Sequence, residues 1–239
     1  MKKFFLATLV LLCSCTTLYA EVITFFGEDL GIGEGTALTS WDNASAAQTD
    51  FYSNLTGITT EDFEDMTGSE ATFGSITATL SNGELKTVTS GTNGYGRYPI
   101  SGDNYWEVSE SFTLTFSEAI SAFGFYGVDI GDFNGQVVLS MESGTTVTLN
   151  IENSTNVSGG GVLYFGFYDL ENTYTSISFT NTAAGTDAFA FDDFTIGTIE
   201  NVDPIGNPNN AVPEPATILL LGFGLIGIAG VSRHKQTIN

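Results

Sequence analysis

Through the middle of the chain, apolar residues fall at every second position, where a helix would place them at every third or fourth. Phe112-Thr113-Leu114-Thr115-Phe116, Thr146-Val147-Thr148-Leu149-Asn150-Ile151 and Ser176-Ile177-Ser178-Phe179-Thr180 alternate apolar with polar. Gln136-Val137-Val138-Leu139-Ser140-Met141 and Ala188-Phe189-Ala190-Phe191 onward to Ile196 follow the same period. A strand with this pattern turns one face to a core and the other to water. Ala122-Phe123-Gly124-Phe125-Tyr126 and Val162-Leu163-Tyr164-Phe165-Gly166-Phe167 carry aromatics at both parities, which predicts strands covered on both sides. Turn formers at Asn82-Gly83, Asn134-Gly135, Ser143-Gly144, Gly159-Gly160-Gly161 and Gly185 separate the runs. One weak amphipathic stretch runs from Ser45 to Leu55, and no internal repeat is visible. Short strands at this spacing predict an all-β fold, an antiparallel β-sandwich of jelly-roll type over residues 21–199.

The two ends of the chain break the pattern. Lys2-Lys3 followed by Phe4 to Leu12, with Thr8 its one polar residue, has the charged start and apolar run of a secretory signal peptide over residues 1–20. Cleavage after Ala20, in Leu18-Tyr19-Ala20-Glu21, is preferred over lipoprotein processing before Cys15, because Leu12-Cys13-Ser14-Cys15 places an unusual Cys within the lipobox pattern. At the other end Ala216 to Val231 carries no charge and is followed by Ser232-Arg233-His234-Lys235. As a helix, 216–231 reaches about 24 Å, enough to span once the flanking Arg233 and Lys235 snorkel. The basic tail predicts a cytoplasmic C-terminus, so the middle of the chain must be exported. Gly222, Gly224 and Gly227 spell a dinucleotide-binding pattern, but no strand precedes them and the run is apolar throughout, so close helix packing is the better reading.

Between domain and helix lies a Pro/Asn-rich linker over residues 200–211, and immediately before the helix stands Val212-Pro213-Glu214-Pro215. Two prolines around a glutamate keep this strip out of helix at the membrane boundary, extended and accessible. The Pro-Glu-Pro strip, apolar helix and basic tail of residues 212–235, paired with a signal peptide, resemble the PEP-CTERM family of bacterial proteins. The resemblance implies that an exosortase recognises Pro213, Glu214 and Pro215 in the inner membrane, removes the tail and passes the protein to the cell surface or extracellular matrix. It also implies company with exopolysaccharide.

Charge narrows the possible partners. The chain carries 28 Asp/Glu against 6 Lys/Arg, and Lys86 and Arg97 are the two cations between residues 21 and 212. Such a surface repels nucleic acid and anionic lipid, both of which are bound through clustered Lys and Arg. Calcium and other hard cations are its natural counter-ions. Cys13 and Cys15 fall in the leader and His234 in the tail, so thiolate and histidine metal centres, disulfides and Cys- or His-based triads are excluded from the exported part.

Three acidic clusters remain: Glu61-Asp62-Phe63-Glu64-Asp65, Asp129-Ile130-Gly131-Asp132-Phe133-Asn134-Gly135, and Asp187 with Asp192-Asp193. The second departs from calcium-loop spacing and reads as a hairpin turn. In the last strand, simple alternation puts Asp192 and Asp193 on opposite faces, one of them toward buried phenylalanines, where a carboxylate needs a partner. Asp62-Phe63-Glu64 and Phe191-Asp192-Asp193-Phe194 together resemble the galactose-binding-like jelly rolls of carbohydrate-binding modules, in which an early Phe-Glu element and a closing Asp-Asp strand meet at a structural calcium ion. The resemblance implies Glu64, Asp192 and Asp193 as calcium ligands, against a reading in which the carboxylates bond loop amides.

Aromatics in Gly/Asn-rich segments supply the other candidate site. Tyr95, Tyr98, Tyr105 and Trp106, with Trp41, would offer stacking faces to a glycan, against a reading in which they cover the core. Four sequons, at Asn43, Asn54, Asn153 and Asn156, carry no weight in a chain with bacterial sorting features. The expectation is therefore a non-enzymatic protein of the envelope, matrix or biofilm, associated with polysaccharide. Two alternatives stand beside it: a secreted glycoside hydrolase or lyase working with paired carboxylates, and a single-pass adhesin whose tail is retained.

Overall fold

The computed structural model describes residues 22–109, 111–132, 136–142, 146–182 and 187–203 of the chain. The signal peptide, Pro213-Glu214-Pro215, the 216–231 helix with Arg233 and Lys235, and the Asn134-Gly135, Ser143-Gly144 and Gly185 turns lie outside the described residues. Among the described residues no helix is long and apolar enough to cross a membrane.

Every run that alternates in the sequence forms a strand, and the strands assemble as two antiparallel sheets. One sheet carries, side by side, β1 (Ile23–Asp29), β11 (Val162–Tyr168), β8 (Ala122–Val128), β13 (Ala188–Gly197), β6 (Asn104–Ser109) and β5 (Glu84–Thr87). A further strand, β2 (Thr59–Glu61), pairs with the last residues of β13. The other sheet runs β10 (Thr146–Asn150), β9 (Val137–Glu142), β12 (Tyr174–Asn181), β7 (Phe112–Ile120), β4 (Ile76–Ser81) and β3 (Glu70–Phe73). Consecutive β7 and β8 sit in different sheets, so the chain passes between layers at Ser121, whose amide donates to the Gly197 carbonyl.

The main core lies between the sheets. Phe123, Phe125, Phe165 and Phe167 of one sheet meet Leu114, Leu139, Ile177 and Phe179 of the other. Phe112 stacks on Phe179 with ring centroids 4.3 Å apart. Each buried aromatic of this kind contributes about 1.5–3 kcal/mol, so the inter-sheet layer is the main source of stability.

The doubly aromatic strands β8 and β11 are covered on their outer face too, as their sequence predicts. A helix, α1 (Asp42–Tyr52), buries Ala44, Ala47 and Phe51 there. It packs against β1, β11 and β8. It begins three residues before the amphipathic stretch read from the sequence, because the apolar face of Ala44, Ala47 and Phe51 is mostly alanine and gives only a faint periodic signal. Gly124 and Gly166 face each other across β8 and β11. A Cβ on either would stand 2.9 Å from the Phe51 ring, so the paired glycines form the floor on which that ring rests.

Candidate functional site

Several loops gather at the end of the first sheet where β8 finishes and β13 begins. The 93–97 turn is built on Asn93: its Oδ1 accepts from the amides of Tyr95 and Arg97, and its Nδ2 donates to Glu107 on β6. Gly96, at φ 82°, completes the turn, and its amide donates to the carbonyl of Glu34 in the loop after β1. The absence of a side chain at Gly96 leaves room for the Asp129 carboxylate, which a Cβ there would strike. Asp129 itself follows β8 with a φ of 68°, a left-handed conformation that Asp tolerates better than most residues.

Arg97 is the hub of this end. Its Nε donates to Glu107 Oε2 at 2.8 Å and its Nη1 to Asp129 Oδ2 at 3.4 Å and to the Ala188 carbonyl at 3.1 Å. Asp129 Oδ1 accepts from the Gly160 amide at 2.7 Å. Burial pushes the Asp129 carboxyl up to about 7, against the pull of that amide and of Arg97. Asp187, at the start of β13, is likewise buried and pushed up to about 7, first by desolvation and then by Asp132. Its Oδ1 accepts from the Ala188 amide at 2.8 Å, whereas Oδ2 is buried and has no hydrogen-bond partner among the described residues. Buried carboxylate oxygens are rarely left this way, because the loss of water is uncompensated.

Glu34, Tyr95, Arg97, Asp129, Asp132 and Asp187 line a pocket of about 190 Å³. Tyr95 is 65 % exposed, and its ring lies 5.7 Å from the Arg97 guanidinium carbon. A flat aromatic face beside carboxylates and a guanidinium suits a polyhydroxylated ligand: the ring takes the apolar side of a sugar, the charged groups its hydroxyls. A second groove of about 210 Å³ lies along Leu38, Trp41, Val88, Tyr98, Pro99 and Gly102. The two are linked by hydrogen bonds. The Tyr98 hydroxyl accepts from Leu38 N in the second groove and donates to the carbonyl of Gly160, the residue whose amide binds Asp129.

The residues predicted as calcium ligands do come together, around the 100–104 segment, but as acceptors for its donors. Asp192 Oδ2 accepts from the amides of Ile100 and Ser101, and Asp193 Oδ1 from the Ser101 hydroxyl. Glu64 Oε1 accepts from the amides of Asp103 and Asn104. Among the described residues no three His, Cys, Asp or Glu side chains converge, and Asp192 Oδ2, Asp193 Oδ1 and Glu64 Oε1 are taken up by hydrogen bonds from the 100–104 segment.

The expected placement of Asp192 and Asp193 on opposite faces is corrected. The register of β13 against β8 shifts between Asp192 and Thr195, and Asp193 takes a φ of 50°. This bulge keeps Phe191 and Phe194 both in the inter-sheet core while the two carboxylates reach the same serine. Burial raises both carboxyls above the ordinary aspartate range, Asp192 the more strongly, with the neighbouring Asp193 adding to it.

Of the four aromatics predicted to touch glycan, the structure leaves Tyr95 available. Tyr98, Tyr105 and Trp106 are buried, a correction with a plain cause. Tyr105 and Trp106 sit in β6 between β5 and β13, so alternation sends Trp106 into the inter-sheet core and Tyr105 into the cluster on the outer face of that sheet. Trp106 spends its indole N–H on the Asn82 carbonyl. Glu34 was not legible as a site residue, since it reaches the pocket only through the pairing of two loops distant in sequence. Arg97 carried a signal: with Lys86 it is one of two interior cations in so acidic a chain, and such a cation draws carboxylates around it.

Residues 211–233 match the PEP-CTERM protein-sorting motif, so the chain carries that signal at its C-terminal end. No curated protein matches the chain. Among solved structures, the chain is similar to a cleaved adhesin domain of Lys-gingipain at 12% identity, over 59% of this chain and 100% of that one, with a TM-score of 0.37. It is similar to the family 11 carbohydrate-binding module of Clostridium thermocellum at 13% identity, over 61% and 97% of the two chains, with a TM-score of 0.31. A family 29 carbohydrate-binding module gives 17% identity over 52% and 96%, with a TM-score of 0.29.

Proposed function

We propose that this chain is an exported surface protein, sorted through its C-terminal motif by an exosortase, whose β-sandwich is a non-catalytic module that holds polysaccharide. The observation that carries the reading is the sorting motif at 211–233, which supplies the route outward for a domain whose own last described residue is Asp203. The inner membrane is then a stage in processing, and the cell surface or extracellular matrix the destination. An anionic exterior suits that destination and disfavours nucleic acid as a partner.

The contact with polysaccharide rests on Tyr95 and the pocket beside it, since this ring is the exposed one among the aromatics near the loops. Tyr95→Ala leaves the core untouched and is expected to weaken retention on polysaccharide from the producing cells about tenfold, measured by co-sedimentation. Equal retention of wild type and variant would count against this site.

A second reading is favoured by one observation. Asp129 and Asp187 line the same pocket with carboxyls held near neutrality, where a general acid works. A glycoside hydrolase would release new reducing ends from the polysaccharide, and Asp187→Asn would abolish that release. Binding without release of reducing ends leaves the non-catalytic reading in place.

A further inference from the structure

The Asp187 oxygen without a partner bears on which sugar the pocket takes, given that it takes one. The pocket presents Glu34, Asp129, Asp132 and Asp187 against Arg97, and Arg97 is already shared among Glu107, Asp129 and the Ala188 carbonyl. The balance inside is therefore negative. Asp187 is 5 % exposed, and its Oδ2 faces no donor among the described residues. That oxygen calls for a donor brought by the ligand, and charge calls for a cationic one.

We infer that the pocket selects a glycan unit bearing a primary ammonium group, an amino sugar, over its N-acetylated, neutral or uronic counterpart. The inference rests on the polysaccharide-binding reading and sharpens it. An ammonium group fits where a divalent ion does not. Calcium needs six or more oxygens at about 2.3–2.6 Å, and no three carboxylates among the described residues converge in that way. An ammonium carries three N–H donors that reach separate acceptors at about 2.7–2.9 Å, a looser demand that spaced carboxylates meet. Tyr95 adds an aromatic face at the rim, exposed and able to take a sugar ring or its cation. A uronic acid meets the same carboxylates with like charge and is repelled. An N-acetyl group removes the charge and adds bulk where the acceptors stand.

The test is titration calorimetry of the full chain in detergent with oligomers of equal length: glucosamine, N-acetylglucosamine, glucose and glucuronate. Glucosamine oligomers are expected to bind at least about tenfold tighter than the N-acetylated series, with glucuronate weakest. Asp187→Asn is expected to remove most of that preference. The wild-type panel decides the matter even where this variant fails to fold. Equal or tighter binding of the N-acetylated or neutral oligomers overturns the inference and leaves polysaccharide binding standing. Failure of every oligomer and of the native polysaccharide removes the binding reading itself, and the inference with it.

Discussion

At the scale of single residues, two carboxylates set an unusual pH dependence. Asp129 and Asp187 sit at about 7 in the folded protein, above the ordinary aspartate value of 3.8. Between those values the folded chain keeps protons that the unfolded chain has released, so in that window lowering the pH favours folding, and raising it toward 7 disfavours folding. Asp169 shifts the opposite way, held low by Tyr174, Asn172 and nearby amides against the effect of burial, and its contribution is lost only below the ordinary aspartate range. The midpoint of thermal unfolding is therefore expected to rise from pH 8 to pH 5, and Asp187→Asn to make that rise shallower. A midpoint that stays flat or falls on acidification contradicts the assignment. These residues show where reading by position stops. Asp187, Asp192 and Asp193 were visible as acids, but whether an acid meets a metal, an amide or nothing depends on loops distant in sequence that close over it. Glu64 meets Asp103 and Asn104, and Asp192 meets Ile100 and Ser101, across such a gap.

At the scale of elements, the strands were legible because alternation is a local property fixed by which face meets the core. Phe112 to Phe116 and Ser176 to Thr180 read as half-buried strands and pair as such in β7 and β12. The aromatics at both parities of β8 and β11 announced a second covering layer without saying what it was, and α1 is that layer. Its seat depends on the missing side chains of Gly124 and Gly166, which no pattern within either strand reveals. Gly166→Ala would put a methyl 2.9 Å from the Phe51 ring and is expected to destabilise the fold by about 1–3 kcal/mol through overpacking. Denaturant unfolding measures it. A neutral result would mean that α1 shifts freely on the sheet. The bulge in β13 was illegible for a different reason: an extra residue in a strand leaves composition and period almost intact while it reverses the face of every later residue in that strand. Tyr105 and Trp106 stayed open between glycan contact and core, because glycine and asparagine on their N-terminal side suggested a loop where the strand β6 begins.

At the scale of the whole molecule, a sandwich in an acidic chain precedes, in sequence, a Pro/Asn-rich segment and a sorting motif at 211–233. The motif was legible because a sorting signal of this kind is carried by sequence order and apolar length more than by tertiary packing. The domain in front of it owes its stability to the phenylalanine layer between its sheets and carries its candidate pocket at one end of the first sheet. On the proposed reading sorting and binding are separable: the motif at 211–233 would govern delivery and the loops around Asp129 and Asp187 contact. The most direct test of the account is the intact mass of the protein recovered from the surface of a host that has an exosortase, alongside a variant with Pro213, Glu214 and Pro215 replaced by alanine. The account predicts that the wild-type chain has lost its apolar segment and basic tail while the variant keeps both in the membrane fraction. A wild-type chain recovered with Arg233 and Lys235 still attached, in the same fraction as the variant, would contradict it.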